Sequence, residues 1–484
     1  MPPSLKEGGG VIVVLVYIRQ FICQASHHHN MTWGSLNEYP KAVVHIDGDA
    51  FFVSCEIARR PELRGKAVVT GAERGIASAM SAAAKRLGIT RGMPIFQMRK
   101  LCPELVVLPS DYELYSLYSL RMFEIVRRFT PVVEEYSIDE CFAELSGMRR
   151  VHHASYEEIA RRIKHELETE LGMTFGVGLA PTKVLGKVAT SLAKKARVVG
   201  RGDGFLALPS RDVPGALACF PIEKVWGIGP QTAALLAGHG VKMAGQLAEK
   251  TDTWVNKVLT KPGVQIWHEL RGTCIHPVCA GARPPQASIQ KTKTFTPPSC
   301  DPSTIFAQLS KNVENACIKA RRHGLAPSRL SFFVKTGDFR CYGHEIKLSR
   351  PSVLPSELLA CIEPFFHGLL RRGETYRATG VTLSHLSGEG AGQLDLFGAT
   401  LRAENVREVY KAVDEIAAKY GKHSVFLASS FWAHGSRASK RSEAMGESST
   451  SISPKRKEPP RSAARFQGET PRRRVGLPYL GEVG

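Results

Sequence analysis

Hydrophobic and polar positions divide the chain into regions of different texture. The first regular element is Ala42-Val43-Val44-His45-Ile46, a β-rich run that ends in Asp47-Gly48-Asp49. Leu114, Leu117, Leu120, Met122 and Ile125 recur at helical spacing and predict a helix over 112–128. Strand character returns over 132–145, a charged amphipathic helix follows over 155–171, and 175–179 is again an apolar strand. Pro181 opens a helix running to Lys195, in the first turn, where a missing N–H costs nothing. Strands alternating with helices over 40–210 predict an α/β or α+β layered domain.

Short helices and glycine turns fill 211–281, and 282–287 reads as a Pro-containing linker. Residues 288–387 run strand, helix, strand, strand, helix, strand. The strands fall near 289–295, 329–336, 342–349 and 377–386, the helices near 302–323 and 355–372. A glycine-rich stretch after Gly388 leads to a last helix over 403–420. Residues 1–40 differ from the rest and read as an extension, with Met31 an equally good start. Residues 435–484 carry eleven Lys and Arg against five Asp and Glu, with many Ser and Pro, and predict a disordered basic tail.

Composition narrows the partners. Of the formal charge of +20, the tail holds +6, so +14 belongs to residues 1–434. That excess and a pI near 9.6 favour nucleic acid over an anionic membrane. No stretch approaches the roughly 18 apolar residues of a membrane span; the nearest, 11–18, runs directly into Arg19. Eleven cysteines, an odd number without C-x-x-C pairs, read as reduced thiols of a cytoplasmic protein. Cys274, His276 and Cys279 fit no zinc-module spacing.

Asp47 and Asp49 close one strand, and Asp139 and Glu140 stand together in Tyr136-Ser137-Ile138-Asp139-Glu140. Adjacent residues of a strand point to opposite faces, so two neighbouring acids converge only where a strand bends or ends. Three carboxylates at one place repel unless cations neutralise them, and hard oxygen donors suit Mg²⁺. Alone, these acids would read as solvated strand ends.

Their surroundings change that reading. Asp47-x-Asp49-Ala50-Phe51-Phe52-x-x-x-Glu56, Pro61-Glu62-Leu63-Arg64-Gly65-Lys66 and the Tyr136–Glu140 string resemble the Y-family of translesion DNA polymerases. So do the run from Gly178 to Ala189 and Val225-Trp226-Gly227-Ile228-Gly229. The resemblance spans about 42–386, some 70% of the chain, with motifs in the family's order. It implies an α+β multidomain right hand: palm 41–210, with fingers inserted over about 56–115; a helix-hairpin-helix thumb, 211–281; and a small α+β little finger, 288–387.

The resemblance also implies roles. Asp47, Asp139, Glu140 and the Gly48 carbonyl would hold two Mg²⁺ ions. Phe51 and Phe52 would border the nucleotide, with Phe52 a steric gate against the ribose 2′-hydroxyl, and Lys194 would bind triphosphate. In the fingers, the family's Tyr and Arg are replaced by Ala82 and Lys85, removing a hydroxyl and a bidentate fork; Arg86 stands beside them. Lys195 replaces the usual proline after Lys194. Gly227 and Gly229 would let duplex phosphates approach backbone N–H groups. Lys291 and Lys293, on alternate positions of one strand, would share a face toward DNA.

Gln393-Leu394-Asp395-Leu396-Phe397 follows a glycine-rich segment and resembles the peptide by which bacterial polymerases bind the sliding clamp, with Gln393, Leu394, Leu396 and Phe397 as its contacts. Within the family the chain is most like the bacterial polymerase IV branch. The 403–420 helix, with Tyr420-Gly421-Lys422-His423 at its end, also resembles the polymerase V catalytic subunit. The expectation is a monomeric, template-directed DNA polymerase acting on primer–template DNA and deoxynucleoside triphosphates, with no segment left over for a proofreading domain. Its rivals are a catalytically dead DNA-binding scaffold and a palm-fold nucleotide cyclase. The first is disfavoured by the complete acid set, the second by the thumb, little-finger and clamp motifs.

Overall fold

β1 (Val43–Gly48) is apolar because it is the middle strand of a five-stranded sheet, with a neighbour on each side. In this computed structural model, which describes residues 38–281, 286–388, 399–421, 423–434 and the strands at 476–477 and 481–482, the chain divides after Ala282 into two units. The sheet of the first also contains β5 (Val133–Glu135), β6 (Glu140–Glu144), β7 (Phe175–Ala180) and β8 (Phe205–Ala207), in the order β5–β6–β1–β7–β8. β1 is antiparallel to β6 and β7, while β8 is parallel to β7. The strand expected over 132–145 is two strands, because the Ser137 N–H closes a turn on the Glu140 carbonyl at 3.0 Å.

One face of the sheet, with Val44, Ile46, Cys141 and Val177, packs on α4 (Tyr112–Arg127) and α5 (Tyr156–Leu171). The other receives α6 (Lys183–Val198) very closely. A Cβ on Gly178 would lie 2.4 Å from the Gly186 carbonyl and 2.5 Å from the Thr190 nitrogen, so only a glycine admits the helix there. The far side of α6 joins the core of five short helices: α7 (Val213–Ala218), α8 (Pro230–Gly238), α9 (Ala244–Ala248), α10 (Asp252–Val258) and α11 (Lys261–Leu270).

Between α1 (Phe51–Arg59) and α4 lies a small insertion. It has a three-stranded sheet, β3–β2–β4, of β2 (Val68–Thr70), β3 (Ala79–Met80) and β4 (Val106–Leu108). With α2 (Ala82–Arg86) and α3 (Ile95–Leu101), it closes a core of Val69, Met80, Ala84, Ile89 and Met98.

The second unit is a four-stranded antiparallel sheet in the order β11–β10–β12–β9. Its strands are β9 (Ser288–Ser299), β10 (Leu325–Thr336), β11 (Cys341–Lys347) and β12 (Tyr376–Gly388). One face is covered by α12 (Pro302–Arg322) and α13 (Pro355–Phe366). The helix expected to reach 372 ends at Phe366 and tightens into a 3₁₀ turn over His367–Leu369; Pro364 withholds an N–H from its last turn. α14 (Ala399–Tyr420) is tied to α12 by a bidentate Arg321–Asp414 pair at 2.7 and 2.8 Å.

All ten described cysteines are free thiols, and no described helix is long and apolar enough to cross a membrane. Cys274, His276 and Cys279 form no ligand cluster among the described residues.

Candidate active site

The acidic residues stand where two strands end side by side, with their three carboxylates not all within 4.8 Å of one another. Asp47, near the end of β1, pairs across the sheet with Glu140, the first residue of β6. Asp139 precedes that strand in the turn, where its carbonyl accepts the Gly48 N–H at 2.9 Å and its carboxylate accepts the Ser137 hydroxyl at 2.6 Å. The turn leaves both acids within electrostatic reach of Asp47. Asp47 is half-buried, and burial pushes its carboxyl above the ordinary range. Lys194 opposes that rise; Glu140 and Asp139 add to it.

α6 supplies the opposing charge as a row. Lys183, Lys187 and Lys194 fall on one stripe of the helix, four and eleven places along. Each meets an acid of a different strand or strand end: Lys183 pairs with Glu134, Lys187 with Glu140 at 3.0 Å, and Lys194 with Asp47 at 2.7 Å and Asp49 at 3.1 Å. Gly176 makes room for the last, since a Cβ there would stand 2.3 Å from the Lys194 side chain. Arg197, one turn on, also pairs with Asp49, and burial lowers its pKa.

Lys187 lies 4.5 Å from the ring centre of Tyr136 and 5.2 Å from that of Trp226, and the Trp226 N–H donates to the Tyr136 hydroxyl at 3.1 Å. This aromatic box aims the ammonium at Glu140. His45 is buried beneath the site, with Nδ1 2.9 Å from the Thr190 hydroxyl; burial, then Lys187 and Lys194, hold its pKa well below the usual value. His45, Asp47, Glu140, Lys187 and Lys194 line an open cleft of about 690 Å³.

The helix after β1 begins at Ala50, whose left-handed φ of 47° turns the chain sharply. Phe52 is half-buried and stacks on Tyr115 with ring centres 4.5 Å apart and planes 12° from parallel. The Tyr115 hydroxyl donates to Glu56 at 2.9 Å, which fixes the stack from behind. Phe51, expected beside the nucleotide, is 3% exposed in the sheet's core, and a Cβ on Gly48 would lie 2.8 Å from its ring, so its side chain packs against the sheet.

Three comparisons bear on this arrangement. Residues 46–191 match the impB/mucB/samB family, and residues 286–396 match that family's C-terminal domain. The DNA polymerase IV of Desulfatibacillum aliphaticivorans is 31% identical over 388 residues, covering 79% of this chain and 95% of its own. The chain belongs to the Y-family of DNA polymerases. The DNA polymerase IV of Opitutus terrae is 30% identical over 363 residues, 73% of this chain and 89% of its own. A solved Y-family DNA polymerase chimera has the same fold, with a TM-score of 0.60 at 23% identity, covering 71% of this chain and 99% of that one. These relatives place the chain in the DinB-type branch, as a DNA-directed DNA polymerase of the translesion class.

The other expected contacts of this Y-family polymerase are placed as follows. Lys85 and Arg86 are exposed at the end of α2 in the insertion. Gly227 has φ +88°, and a Cβ there would meet Ile266 at 2.6 Å; Gly229 caps α8 with open space around it. The helix before this turn is only a 3₁₀ turn over Ile222–Lys224, behind Pro221. Lys291 and Lys293 share a face of β9, but it is the face that carries Ile289 and Phe295 into the core. Lys291 is half-buried, and burial, with Lys319 and Arg322, lowers its pKa. Any phosphate contact from these two lysines is therefore made from the sheet's edge. The face away from α12 carries Arg329 and Lys335 of β10, in register with Lys347 and Cys341 of β11. Gln393, Leu394, Leu396 and Phe397 lie outside the described residues, as does the tail apart from 476–477 and 481–482.

Sequence reasoning did not single out Lys187, Arg197 or His45. The four- and eleven-place spacing from Lys183 through Lys187 to Lys194 was the available signal for the first; the others become visible only in three dimensions.

Proposed function

We propose that the Asp47–Asp139–Glu140 cluster performs template-directed nucleotidyl transfer with two Mg²⁺ ions, in low-fidelity translesion synthesis without proofreading. The observation that carries this reading is the placement of Asp47, Asp139 and Glu140 at the paired ends of β1 and β6, with Lys187 and Lys194 of α6 paired to two of them. The donors fit hard divalent cations: all are oxygens, burial raises Asp47 with smaller contributions from Glu140 and Asp139, and they already draw two ammonium groups. Asp47, Asp139, Glu140 and the Gly48 carbonyl would be the ligands. Bound Mg²⁺ would lower the pKa of the primer 3′-hydroxyl and neutralise charge on the phosphates during attack at the α-phosphate, with pyrophosphate leaving.

The chain's own residues do the rest. Lys194, once its carboxylate partners hold a cation, is free to contact the triphosphate as a point charge. Lys85 and Arg86 supply the fingers' positive charge, without the family's bidentate fork. Phe52 sits where the sugar must pass, backed by Tyr115. Gly227 and Gly229 leave backbone N–H groups near a helix start for duplex phosphates, which positions DNA without reading its sequence.

Extension of a primed template by the full chain, with Mg²⁺ and four deoxynucleotides, tests this reading. The expected result is template-dependent elongation that continues past an abasic site. Failure on undamaged template would overturn the polymerase reading; arrest only at the lesion would overturn bypass.

We also propose that Gln393–Phe397 is a sliding-clamp peptide, on its resemblance alone. Replacing Leu396 and Phe397 with Ala should remove clamp stimulation in a running-start assay and leave clamp-free extension unchanged. Equal loss in both assays would make the segment structural.

A further inference from the structure

We propose that Glu314, His423 and His434 form a binding site for a divalent transition-metal ion of the zinc class, which fastens the end of the second unit to α12. The site stands apart from the polymerase chemistry and does not depend on it. Glu314 lies on α12, His423 follows α14, and His434 ends the helical turn after the 3₁₀ segment Ala428–Ser430. One ligand atom from each comes within 4.8 Å of the others. This is the residue set of a three-ligand zinc site with an open fourth position.

Two buried atoms point to a missing partner. Glu314 is 5% exposed; its Oε1 accepts the Leu427 N–H at 2.5 Å, but Oε2 has no hydrogen-bond partner. Nε2 of His434 is likewise buried without one. Buried polar groups are normally satisfied, so orphan atoms on two side chains of one ligand cluster are open to a bound ion. The His423 backbone is held at φ 66°, and its ring centre lies 4.7 Å from that of His434.

Lys311 selects the kind of ion. Its ammonium donates to the Ala433 carbonyl at 3.0 Å and places a positive charge beside the site. An ion held by charge alone, such as Mg²⁺, is disfavoured there. Two imidazole nitrogens and a carboxylate oxygen bind Zn²⁺ through stronger donor bonds. The hydrogen bonds from 423–434 to α12 include the Leu427–Glu314 and Lys311–Ala433 contacts and Ser429 to Ser310 at 2.7 Å. An ion shared by Glu314 and both histidines would pin this segment at both of its ends.

The test uses the full chain, stripped with chelator and kept in Mg²⁺ buffer, titrated with Zn²⁺ against a chromogenic chelator. Wild type should bind one Zn²⁺ that Glu314→Gln and His434→Gln each bind at least about tenfold more weakly, since even outer partners of a ligand are worth that much. X-ray absorption of the wild-type complex at one equivalent should show nitrogen and oxygen neighbours only, a readout that needs no variant to fold. Zn²⁺ should also slow proteolytic cleavage within 421–434. Sulfur neighbours, which would move the ion to the free cysteines, or equal affinity in wild type and both variants, would overturn the site; unchanged cleavage would overturn its fastening role.

Discussion

Asp139→Asn should abolish primer extension, by at least about 10³-fold in single-turnover rate, or about 4 kcal/mol of transition-state stabilisation at 1.36 kcal/mol per decade. The substitution is nearly isosteric and spares the contact that shapes the turn, because the Gly48 N–H bonds to the main-chain carbonyl of Asp139 and not to its side chain. The Ser137 hydroxyl keeps an oxygen acceptor on the new amide. What is lost is one of three negative charges at the paired strand ends. Asp47 and Glu140 remain, faced by Lys194 at 2.7 Å and Lys187 at 3.0 Å. With the acids no longer in excess, the ammonium groups hold the cluster without help and the pull on divalent cations falls. Duplex binding should be unchanged in an anisotropy titration. Rate loss with intact folding and DNA binding assigns the role to chemistry; near-wild-type extension would remove Asp139 from the site.

The sequence showed the acids because strand ends followed by Asp-x-Asp and Asp-Glu are local patterns, and the flanking motifs supplied the rest. It did not show how their charge is balanced, since the pairing of Lys187 with Glu140 and of Arg197 with Asp49 depends on how α6 lies across the sheet. That crossing rests on Gly176 and Gly178, whose close approach to α6 only the folded chain shows. Phe51 and Phe52 are chemically alike and adjacent; the left-handed turn at Ala50 sends the first ring into the core and leaves the second half-buried. For Lys291 and Lys293, alternation gave a common face but not which one. Ile289 and Phe295, at the same parity, carried that information.

Phe52→Ala should lower the preference for deoxynucleotides over ribonucleotides by about 100-fold, within the range that pocket shape alone achieves in a binding site. The ring cannot easily turn aside for a ribose 2′-hydroxyl. It lies flat on Tyr115 at 4.5 Å and edge-on to Tyr112 at 5.6 Å, and Tyr115 is anchored by its hydrogen bond to buried Glu56. Rigidity is what makes a flat side chain a gate, because a mobile one would yield to the extra oxygen. Removing the ring also removes an aromatic stack, worth about 0.5–1.5 kcal/mol beyond its buried area, so a small fall in melting temperature is expected as well. The two effects separate in the kinetics. Lost packing lowers kcat/KM for both sugars by the same factor and leaves their ratio alone; a lost gate raises ribonucleotide incorporation in absolute terms. A Phe52→Tyr variant, which keeps the flat ring, should retain the discrimination. If the ratio is unchanged in Phe52→Ala, the ring is a packing residue over Tyr115, and sugar selection lies with another part of the cleft.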